Sequence, residues 1–207
     1  MKSRERIKQK SEVFFDEMAL RREIIPEPDL CYEHILPYFK ELSGGRVADI
    51  GCGMGKMLAM IEQQYPGKFH LSGIDLSTES LRIARKFCGE SVNLVRGDVE
   101  VLPFGDSSFD ILLCMHSFHH YPWPIQALKE MHRVLQRGGV LYLVENDYPA
   151  LKRMKKNLKY LLMRYPRGDV HMYSSKELLK LIRKAGFDAE EPRHLADYSQ
   201  LLICRKA

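Results

Sequence analysis

The stretch VADIGCGMGKML, residues 47–58, reads as a strand, a glycine-rich turn and the start of a helix. Such turns usually bind phosphate, because the N–H groups at a helix N-terminus attract anions. Asp49, however, stands where the strand ends, and its carboxylate would repel a pyrophosphate. The turn therefore predicts a ligand that is positively charged or rich in hydrogen-bond donors.

Strands and helices alternate after this turn. The predicted strands are residues 46–50, 69–74, 92–97, 109–115, 139–146 and 199–206, and the predicted helices are 55–65, 77–87, 124–135 and 174–187. This alternation predicts an α/β fold, in which helices cover both faces of a mostly parallel sheet. Ligands in such sheets bind beyond the carboxyl ends of the strands, and the glycine turn lies at that end of the first strand.

Composition sets only broad limits on function. The chain has 207 residues, 45% of them hydrophobic, and a net charge of +5, which permits an anionic substrate or RNA but demands neither. The five cysteines are scattered, so we predict no zinc knuckle, no disulfide framework and no metal site. Free cysteines also predict that the protein works in a reducing cytoplasm. The charged N-terminus predicts no signal peptide, and no apolar run approaches the roughly 20 residues of a membrane span.

Two further acids follow later strands of the predicted sheet. Asp75 ends the second strand, where a carboxylate can accept hydrogen bonds from both hydroxyls of a ribose. Asp98 follows the third strand and could accept from an adenine amino group, while the N–H of Val99 could donate to a ring nitrogen. These positions predict a nucleoside held by successive strand ends, with no phosphate required.

A dinucleotide site is the sharper alternative, and a chance glycine turn is the plainer one. The glycines at 51, 53 and 55 form a G-x-G-x-G pattern, and Lys56 stands where the nicotinamide fingerprint has its last glycine. Asp75 alone does not distinguish a dinucleotide site from a nucleoside site without phosphate, because dinucleotide sites also place an acid on the ribose. Asp49 is the residue that favours a cationic ligand.

The chain resembles the class I S-adenosylmethionine-dependent methyltransferases of the broad small-molecule type. The matching stretches are VADIGCGMG, GIDLS, GDVEVLPFGDSSFDILLCMHSFHHY and LKEMHRVLQRGGVLYLVE, in the family's order and spacing across residues 47–146. YSSKELLKLIRKAGF extends the similarity, and SEVFFDEMA resembles the N-terminal helix that closes over the cofactor. The resemblance implies a Rossmann-like three-layer sandwich with a seven-stranded, mostly parallel sheet, an antiparallel last strand and an N-terminal helical extension.

The resemblance also implies a cofactor site, in which Asp49 contacts the methionine moiety and the glycines let the backbone approach. Asp75 takes the ribose, and Asp98 with Val99 reads the adenine edge. The expected cofactor-binding residues are Asp49, Gly51, Cys52, Gly53, Gly55, Asp75, Leu76, Asp98, Val99, Cys114 and Met115. We expect one domain, with a helical cap (1–43), a cofactor-binding core (44–146), an insertion serving as a substrate lid (147–173) and a C-terminal helix with strands (174–207).

Methyl transfer from a sulfonium needs alignment and exclusion of water more than a catalytic group. His116 is the candidate general base because it lies nearest the end of the fourth strand. His119 and His120 follow it, and all three histidines could instead pack the loop and hydrogen-bond the backbone. The substrate-contacting candidates are Phe15, His116, His119, Tyr148 and Tyr173.

The segment 151–167, LKRMKKNLKYLLMRYPR, combines helical apolar spacing with seven basic residues and no acid. It allows three interpretations: a docked helix with a solvated basic face, a substrate lid whose cations attract an anionic acceptor, or a membrane-surface helix. Phe14, Phe15 and Met18 of the first helix could likewise cover the cofactor cleft or be ordinary core residues.

The sequence thus predicts a cytoplasmic enzyme that methylates a small molecule with S-adenosylmethionine, leaving S-adenosylhomocysteine. The alternatives are an RNA methyltransferase, suggested by the basic insertion, and a non-catalytic S-adenosylmethionine-binding protein. The sequence CMHS after the fourth strand lacks the NPPY-type motif of amino methylation, and no RNA-binding module is appended. No DNA partner is expected. Quinone-ring methyltransferases share the core pattern, but their longer N-terminal signature and closing motifs are absent, so the acceptor is not assigned.

Overall fold

A computed structural model describes residues 2–21, 30–163, 168–195 and 198–207. The sequence IPEPDL at residues 25–30 predicts a break after the first helix, and only its Leu30 lies within these ranges. Arg164, Tyr165 and Arg167 of the basic segment also fall outside them. The helices are α1 (Lys2–Arg21), α2 (Leu30–Glu33), α3 (Pro37–Lys40), α4 (Lys56–Gln64), α5 (Thr78–Cys88), α6 (Pro124–Val134), α7 (Ala150–Leu162) and α8 (Ser175–Lys184). The strands are β1 (Gly45–Ile50), β2 (Phe69–Asp75), β3 (Asn93–Arg96), β4 (Phe109–Met115), β5 (Leu135–Asn146), β6 (Asp188–Ala189), β7 (Arg193–Leu195) and β8 (Ser199–Arg205).

The sheet has the order β3-β2-β1-β4-β5-β8-β6, and the short β7 pairs with β8. Strands β1 to β5 pair in parallel, and β8 runs antiparallel to β5. The mostly parallel sheet with an antiparallel last strand is therefore confirmed. The chain moves outward from β1 to β3 and then returns to place β4 on the other side of β1. This reversal puts the switch point, where ligands bind in such folds, between β1 and β4.

The two faces of the sheet are buried by different helices. One core cluster contains Leu128 of α6 and Ile182 of α8, and the other contains Phe39 of α3, Leu58 of α4 and Leu81 of α5. Strands covered on both faces are apolar almost throughout, as in β4, where only Asp110 interrupts the buried run. The arrangement is a three-layer sandwich, as the sequence predicts.

Local signals explain most element ends. Ser77 caps α5 by accepting a hydrogen bond from the N–H of Ser80 at 3.0 Å, and Ser174 forms a capping box with Glu177 at the start of α8. The sequence also predicts a second helix that ends near Leu42 and is kinked or split by Pro37, and the structure has two short helices there, of which α3 begins at Pro37. The strands β6 and β7 were not predicted, because two or three residues are too few to show an alternating pattern.

Within the part of the chain that the structure describes, no helix has both the length and the apolar character needed to cross a membrane.

Candidate functional site

A cavity of about 580 Å³ opens at the carboxyl ends of β1, β2 and β4, and α1 covers it. Eight of the predicted cofactor-binding residues line this cleft: Gly51, Cys52, Gly53, Asp75, Leu76, Asp98, Val99 and Met115. Asp49, Gly55 and Cys114 are not among the lining residues. The cleft therefore lies at the switch point and gathers residues from the ends of β1, β2 and β3, as the sequence predicts, and also from the end of β4.

The three glycines of the turn have left-handed backbones but different surroundings. A Cβ on Gly51 would lie 2.7 Å from both Ser117 Cβ and Tyr121 Oη, and a Cβ on Gly55 would lie 2.7 Å from Cys88 Sγ. Gly53, with φ of 51°, has no atom within 4 Å of such a Cβ. Gly51 and Gly55 thus let the turn pack closely on the protein, whereas Gly53 borders open space in the cleft. The expectation that all three glycines let the backbone approach a ligand stays a prediction, and of the three, Gly51 and Gly53 line the cleft.

Asp75 holds the glycine turn in place. Its carboxylate accepts hydrogen bonds from the N–H groups of Gly53 and Ser77, each at 2.8 Å. Burial raises the pKa of Asp75, although the hydrogen bonds from Ser77, Gly53 and Leu76 act in the opposite direction. Each oxygen has further lone pairs, so the carboxylate can fix the turn and still accept from a ribose in the cleft.

Asp49 is buried at the end of β1, and its atom Oδ1 has no hydrogen-bond partner among the described residues. Burial, with a smaller contribution from the charge of Asp75, raises the pKa of Asp49 to about 7. A buried carboxylate without a compensating donor is costly. Such a group fits a ligand that brings a positive charge or a donor to it, which a dinucleotide phosphate does not.

The side chain of Asp98 contacts α1. Its Oδ2 pairs with Lys8, while its Oδ1 accepts from the N–H of Glu100 at 2.9 Å. Glu100, which is fully buried, pairs through Oε2 with both Lys8 and Arg4 and accepts from the N–H of Trp123 at 3.0 Å. We call these four residues, Arg4, Lys8, Asp98 and Glu100, the clamp. The clamp fastens the start of α1 to the end of β3.

The rest of α1 also lies against the cleft. Asp16 accepts hydrogen bonds from Ser77 Oγ at 2.5 Å and from the N–H of Glu79 at 3.2 Å, which joins α1 to the start of α5. Phe15 lines the cleft and meets the ring of His120 edge to face at a centroid distance of 4.9 Å. Met18 lines the cleft as well. The sequence allows these side chains either to cover the cleft or to be ordinary core residues, and in the structure Phe15 and Met18 cover the cleft.

The end of β4 places His116 in the cleft with a strained backbone. Its φ is 51°, a left-handed value that is uncommon for residues with a Cβ and is often found at functional sites. The ring atom Nε2 lies 3.2 Å from Cys31 Sγ, and Nδ1 lies 3.8 Å from a carboxylate oxygen of Glu145. Cys114, two residues before His116, is buried, and its sulfur lies 3.3 Å from Ser117 Oγ.

His119 is buried behind the cleft rather than exposed in it. Its Nδ1 and its backbone N–H both contact the Glu145 carboxylate at 2.8 Å, and its carbonyl accepts from the N–H of Val170 at 2.8 Å. Burial lowers the pKa of His119, but the negative charges of Glu145 and Asp169 outweigh it and raise the pKa overall. His119 therefore joins β5 to the segment before α8, which corrects its assignment to the substrate.

His120 takes the place in the cleft lining that was expected for His119. Burial and the neighbouring His119 lower the pKa of His120 well below its usual value, which keeps the ring neutral. Ligand atoms of His119, His120 and Asp169 lie within 4.8 Å of one another, although the sequence predicted no metal site. The carboxylates of Glu145 and Asp169 favour the charged form of His119, so ion pairing within the protein can account for this cluster.

Two other substrate candidates lie away from the cleft lining. Tyr173 is buried in the core, with its ring 5.3 Å from that of Phe118. Tyr148 lies under the ammonium groups of Lys152 and Lys156, at 4.4 and 4.8 Å from the ring centroid. Both assignments are therefore corrected, and the aromatic residues that replace them in the lining are Tyr32 and Phe87.

Sequence reasoning missed the clamp partners Lys8 and Glu100. Lys8 stands in a strongly charged helix that reads as solvated, yet its side chain is largely buried against residues about ninety positions away. Glu100 follows Asp98 by two residues, and only this close spacing of acids gave a local signal. Hydrophobic periodicity shows local secondary structure, so it cannot reveal an ion pair between residues so far apart in the sequence.

The fold and the cleft define a Rossmann-like α/β protein with a site for a nucleoside ligand. The family model described as a methyltransferase domain matches residues 48–143. The matched residues, just under half of the chain, are therefore similar to a methyltransferase domain.

Relatives of known name are similar to this chain over part of their length. A demethylmenaquinone methyltransferase of Staphylococcus epidermidis is 30% identical over 126 residues, which are 60% of this chain and 52% of the relative. The corresponding protein of Staphylococcus aureus is 33% identical over 115 residues, 55% of this chain and 48% of the relative. The chain thus spans about half the length of these curated relatives.

Solved structures show the same fold. A putative methyltransferase from Bacillus halodurans has a TM-score of 0.70 at 21% identity, covering 84% of this chain and 98% of that one. A Thermotoga maritima protein described as an S-adenosylmethionine-dependent methyltransferase, possibly a histamine N-methyltransferase, has a TM-score of 0.65 at 25% identity, covering 86% and 89%. The structural similarity therefore extends over more of the chain than residues 48–143.

Proposed function

We propose that this protein transfers a methyl group from S-adenosylmethionine to a small-molecule acceptor. The observation that carries the proposal is the buried Asp49 carboxylate behind a glycine turn that Asp75 holds open at the switch point. S-adenosylmethionine brings a sulfonium, an ammonium and two ribose hydroxyls, and it has no phosphate. Those groups match the carboxylates of this cleft, whereas a dinucleotide would place its pyrophosphate close to Asp49.

The residues of the cleft would divide the work of holding the cofactor. Asp75 is suited to the ribose, the N–H of Val99 to an adenine nitrogen, and Asp49 to the methionine end. When bound, the cofactor supplies an activated methyl group, whose bond to sulfur breaks as the bond to the acceptor forms. The protein's own contribution is to align the acceptor and to exclude water, which α1 does by covering the cleft.

The acceptor end of the cleft is the part near the end of β4. Phe15, Tyr32, His116 and His120 line the cleft, and they present two aromatic rings and two imidazoles, of which that of His120 is kept neutral by burial. This lining favours an uncharged acceptor with an apolar or aromatic body. The anionic acceptor suggested by the basic insertion is less well supported, because the lysines of α7 are not among the lining residues.

Calorimetric titration with S-adenosylmethionine and S-adenosylhomocysteine tests the cofactor first. We expect micromolar binding to the wild type and no binding of NAD. Asp75→Asn keeps the size of the side chain but turns an acceptor into a donor against Gly53 or Ser77, so we expect affinity to fall at least tenfold. Asp188→Asn, on the exposed strand β6, is the matched control and should bind like the wild type. Absence of wild-type binding to either cofactor form would reject the proposal.

Turnover is tested separately through His116. If its imidazole is a general base, His116→Asn should lower kcat by about 10²–10⁴ and leave cofactor affinity within about twofold. Asparagine tolerates the left-handed backbone of this position, so the fold should be retained. The measurement is S-adenosylhomocysteine formation over an acceptor panel, with His70→Asn, an exposed histidine of β2, as the control. Equal losses in turnover and cofactor binding would assign His116 a structural role.

Two further features concern the acceptor site and the cellular compartment. The segment 147–173 is proposed as the side of the acceptor site, since Asp169 and Val170 contact the histidine loop that borders the cleft. The five cysteines are all buried free thiols, which suits the reducing cytoplasm.

A further inference from the structure

Helix α7 carries an apolar stripe that faces solvent. Leu151, Met154, Leu158, Leu161 and Leu162 recur at helical spacing and, at about 100° per residue, fall within an arc of about 100°. Each of these side chains is between 55% and 72% exposed. An amphipathic helix that docked through this stripe would bury it, so the interpretation of α7 as a helix docked by its apolar face is wrong.

The opposite side of α7 is the one that packs on the protein. Tyr160 is buried and hydrogen-bonds Asp169, and Asn157 exchanges two hydrogen bonds with the backbone of Met172 at 2.7 and 3.0 Å. Arg153 donates to the carbonyl of Tyr148 at 2.9 Å. These contacts fix the rotation of the helix about its axis, and the apolar stripe consequently points outward.

A row of lysines borders the stripe along one side. Lys152, Lys155 and Lys159 are exposed, and α7 contains no acidic residue. Among the described residues, no carboxylate lies within ion-pair distance of these three ammonium groups, although Lys152 lies over the rings of Tyr148 and Tyr198. The face therefore combines an uncovered apolar strip with uncompensated positive charge.

We propose that α7 binds the surface of a membrane rich in anionic lipids, with the apolar stripe inserted among the acyl chains and the lysines among the headgroups. A leucine-rich stripe with lysines on the adjoining polar face is the pattern of helices that lie in the interface rather than span the bilayer. This inference does not depend on the proposed methyl transfer.

Charge and size both favour lipid over a second copy of the chain. A symmetric antiparallel pair of α7 helices would bring two lysine rows together, which is unfavourable. The helix is 13 residues long, about 20 Å by 10 Å, so the patch offers about 200 Å² per partner against the roughly 800 Å² of a typical stable interface. Binding to a bilayer does not require a protein interface of this size, because anionic headgroups can lie next to all the lysines of the helix.

Sedimentation with vesicles tests the proposal on the full chain. We expect at least tenfold stronger binding to phosphatidylcholine vesicles with 30% phosphatidylserine than to phosphatidylcholine alone, weakening as salt is raised. Leu158→Gln with Leu161→Gln should reduce this binding at least tenfold. Val13→Gln with Leu20→Gln, which removes similarly exposed apolar side chains from α1, is the matched control and should bind like the wild type.

The lysines give a second, independent readout. Lys155→Gln with Lys159→Gln should lower binding to the anionic vesicles by roughly tenfold or more and flatten its salt dependence, since each basic residue near such a surface contributes about a fivefold effect. All these positions are exposed, so circular dichroism and cofactor titration should be unchanged in every variant. Equal binding to neutral and anionic vesicles, no binding to either, or self-association abolished by the Leu158/Leu161 variant would each overturn the proposal.

Discussion

Asp49→Asn should bind S-adenosylmethionine at least tenfold more weakly than the wild type and yet be more stable without it. The carboxylate is buried, and its Oδ1 has no hydrogen-bond partner among the described residues, so the ligand-free protein bears the cost of an uncompensated charge. Asparagine has the same shape and no charge. We expect a gain of about 2 kcal/mol in the free energy of unfolding at pH 8, measured by urea denaturation.

The pH dependence follows from the raised pKa of Asp49, about 7 in the folded chain against an ordinary value of 3.8. Above pH 7 the group is charged in both states and the folded state is penalised. As the pH falls from 7 towards 4, only the folded state takes up the proton, so this group's penalty disappears. The difference between these two pKa values corresponds to about 4 kcal/mol, of which asparagine recovers part because its amide is still buried without a full set of partners.

Cofactor affinity should change with pH in the opposite direction. A cationic ligand needs the ionised carboxylate, so wild-type affinity should fall between pH 7.5 and 5.5, approaching tenfold per unit at the acidic end. In Asp49→Asn this dependence should be largely lost. If the two proteins showed the same pH profile, or if the variant bound as tightly as the wild type, Asp49 would not be the partner of the cationic end.

The architecture could be read from the sequence because its signals are local. The glycine turn, the caps at Ser77 and Ser174 and the apolar run of β4 each specify their element within a few residues. The acids Asp75 and Asp98 could be placed at one edge of the sheet, since parallel strands end on the same side. The edge at which the strands end is therefore fixed by the topology alone, before any side-chain packing is known.

The contacts that finish the cleft could not be read in the same way. Which of three adjacent histidines faces the ligand depends on the backbone turn after β4, where His116 adopts a left-handed conformation. His119 contacts the buried carboxylate of Glu145 and lies behind the cleft, whereas His120 lines the cleft. The apolar face of α7 was likewise ambiguous, because helical spacing shows that a stripe exists but not whether anything covers it.

The clamp should control how fast the cofactor leaves. Glu100→Gln preserves the acceptor for the N–H of Trp123 but removes the charge that faces Arg4 and Lys8. Breaking a buried, hydrogen-bonded ion pair on one side is costly, and we expect closure of α1 to be weakened by about 1.5–3 kcal/mol. Cofactor dissociation, followed by stopped-flow displacement, should then be roughly tenfold to a hundredfold faster.

Limited proteolysis distinguishes a lid from a merely stabilising helix. If α1 opens as a unit, trypsin should cut at its basic residues much faster in Glu100→Gln, while the cooperative unfolding of the sheet core shifts little. Glu90→Gln is the matched control, since Glu90 is 93% exposed and lies 3.8 Å from its partner Arg85. That variant should match the wild type in both assays. A Glu100→Gln protein that unfolds globally at lower urea, with no selective cleavage in α1, would show that the clamp supports the whole fold and does not gate the cleft.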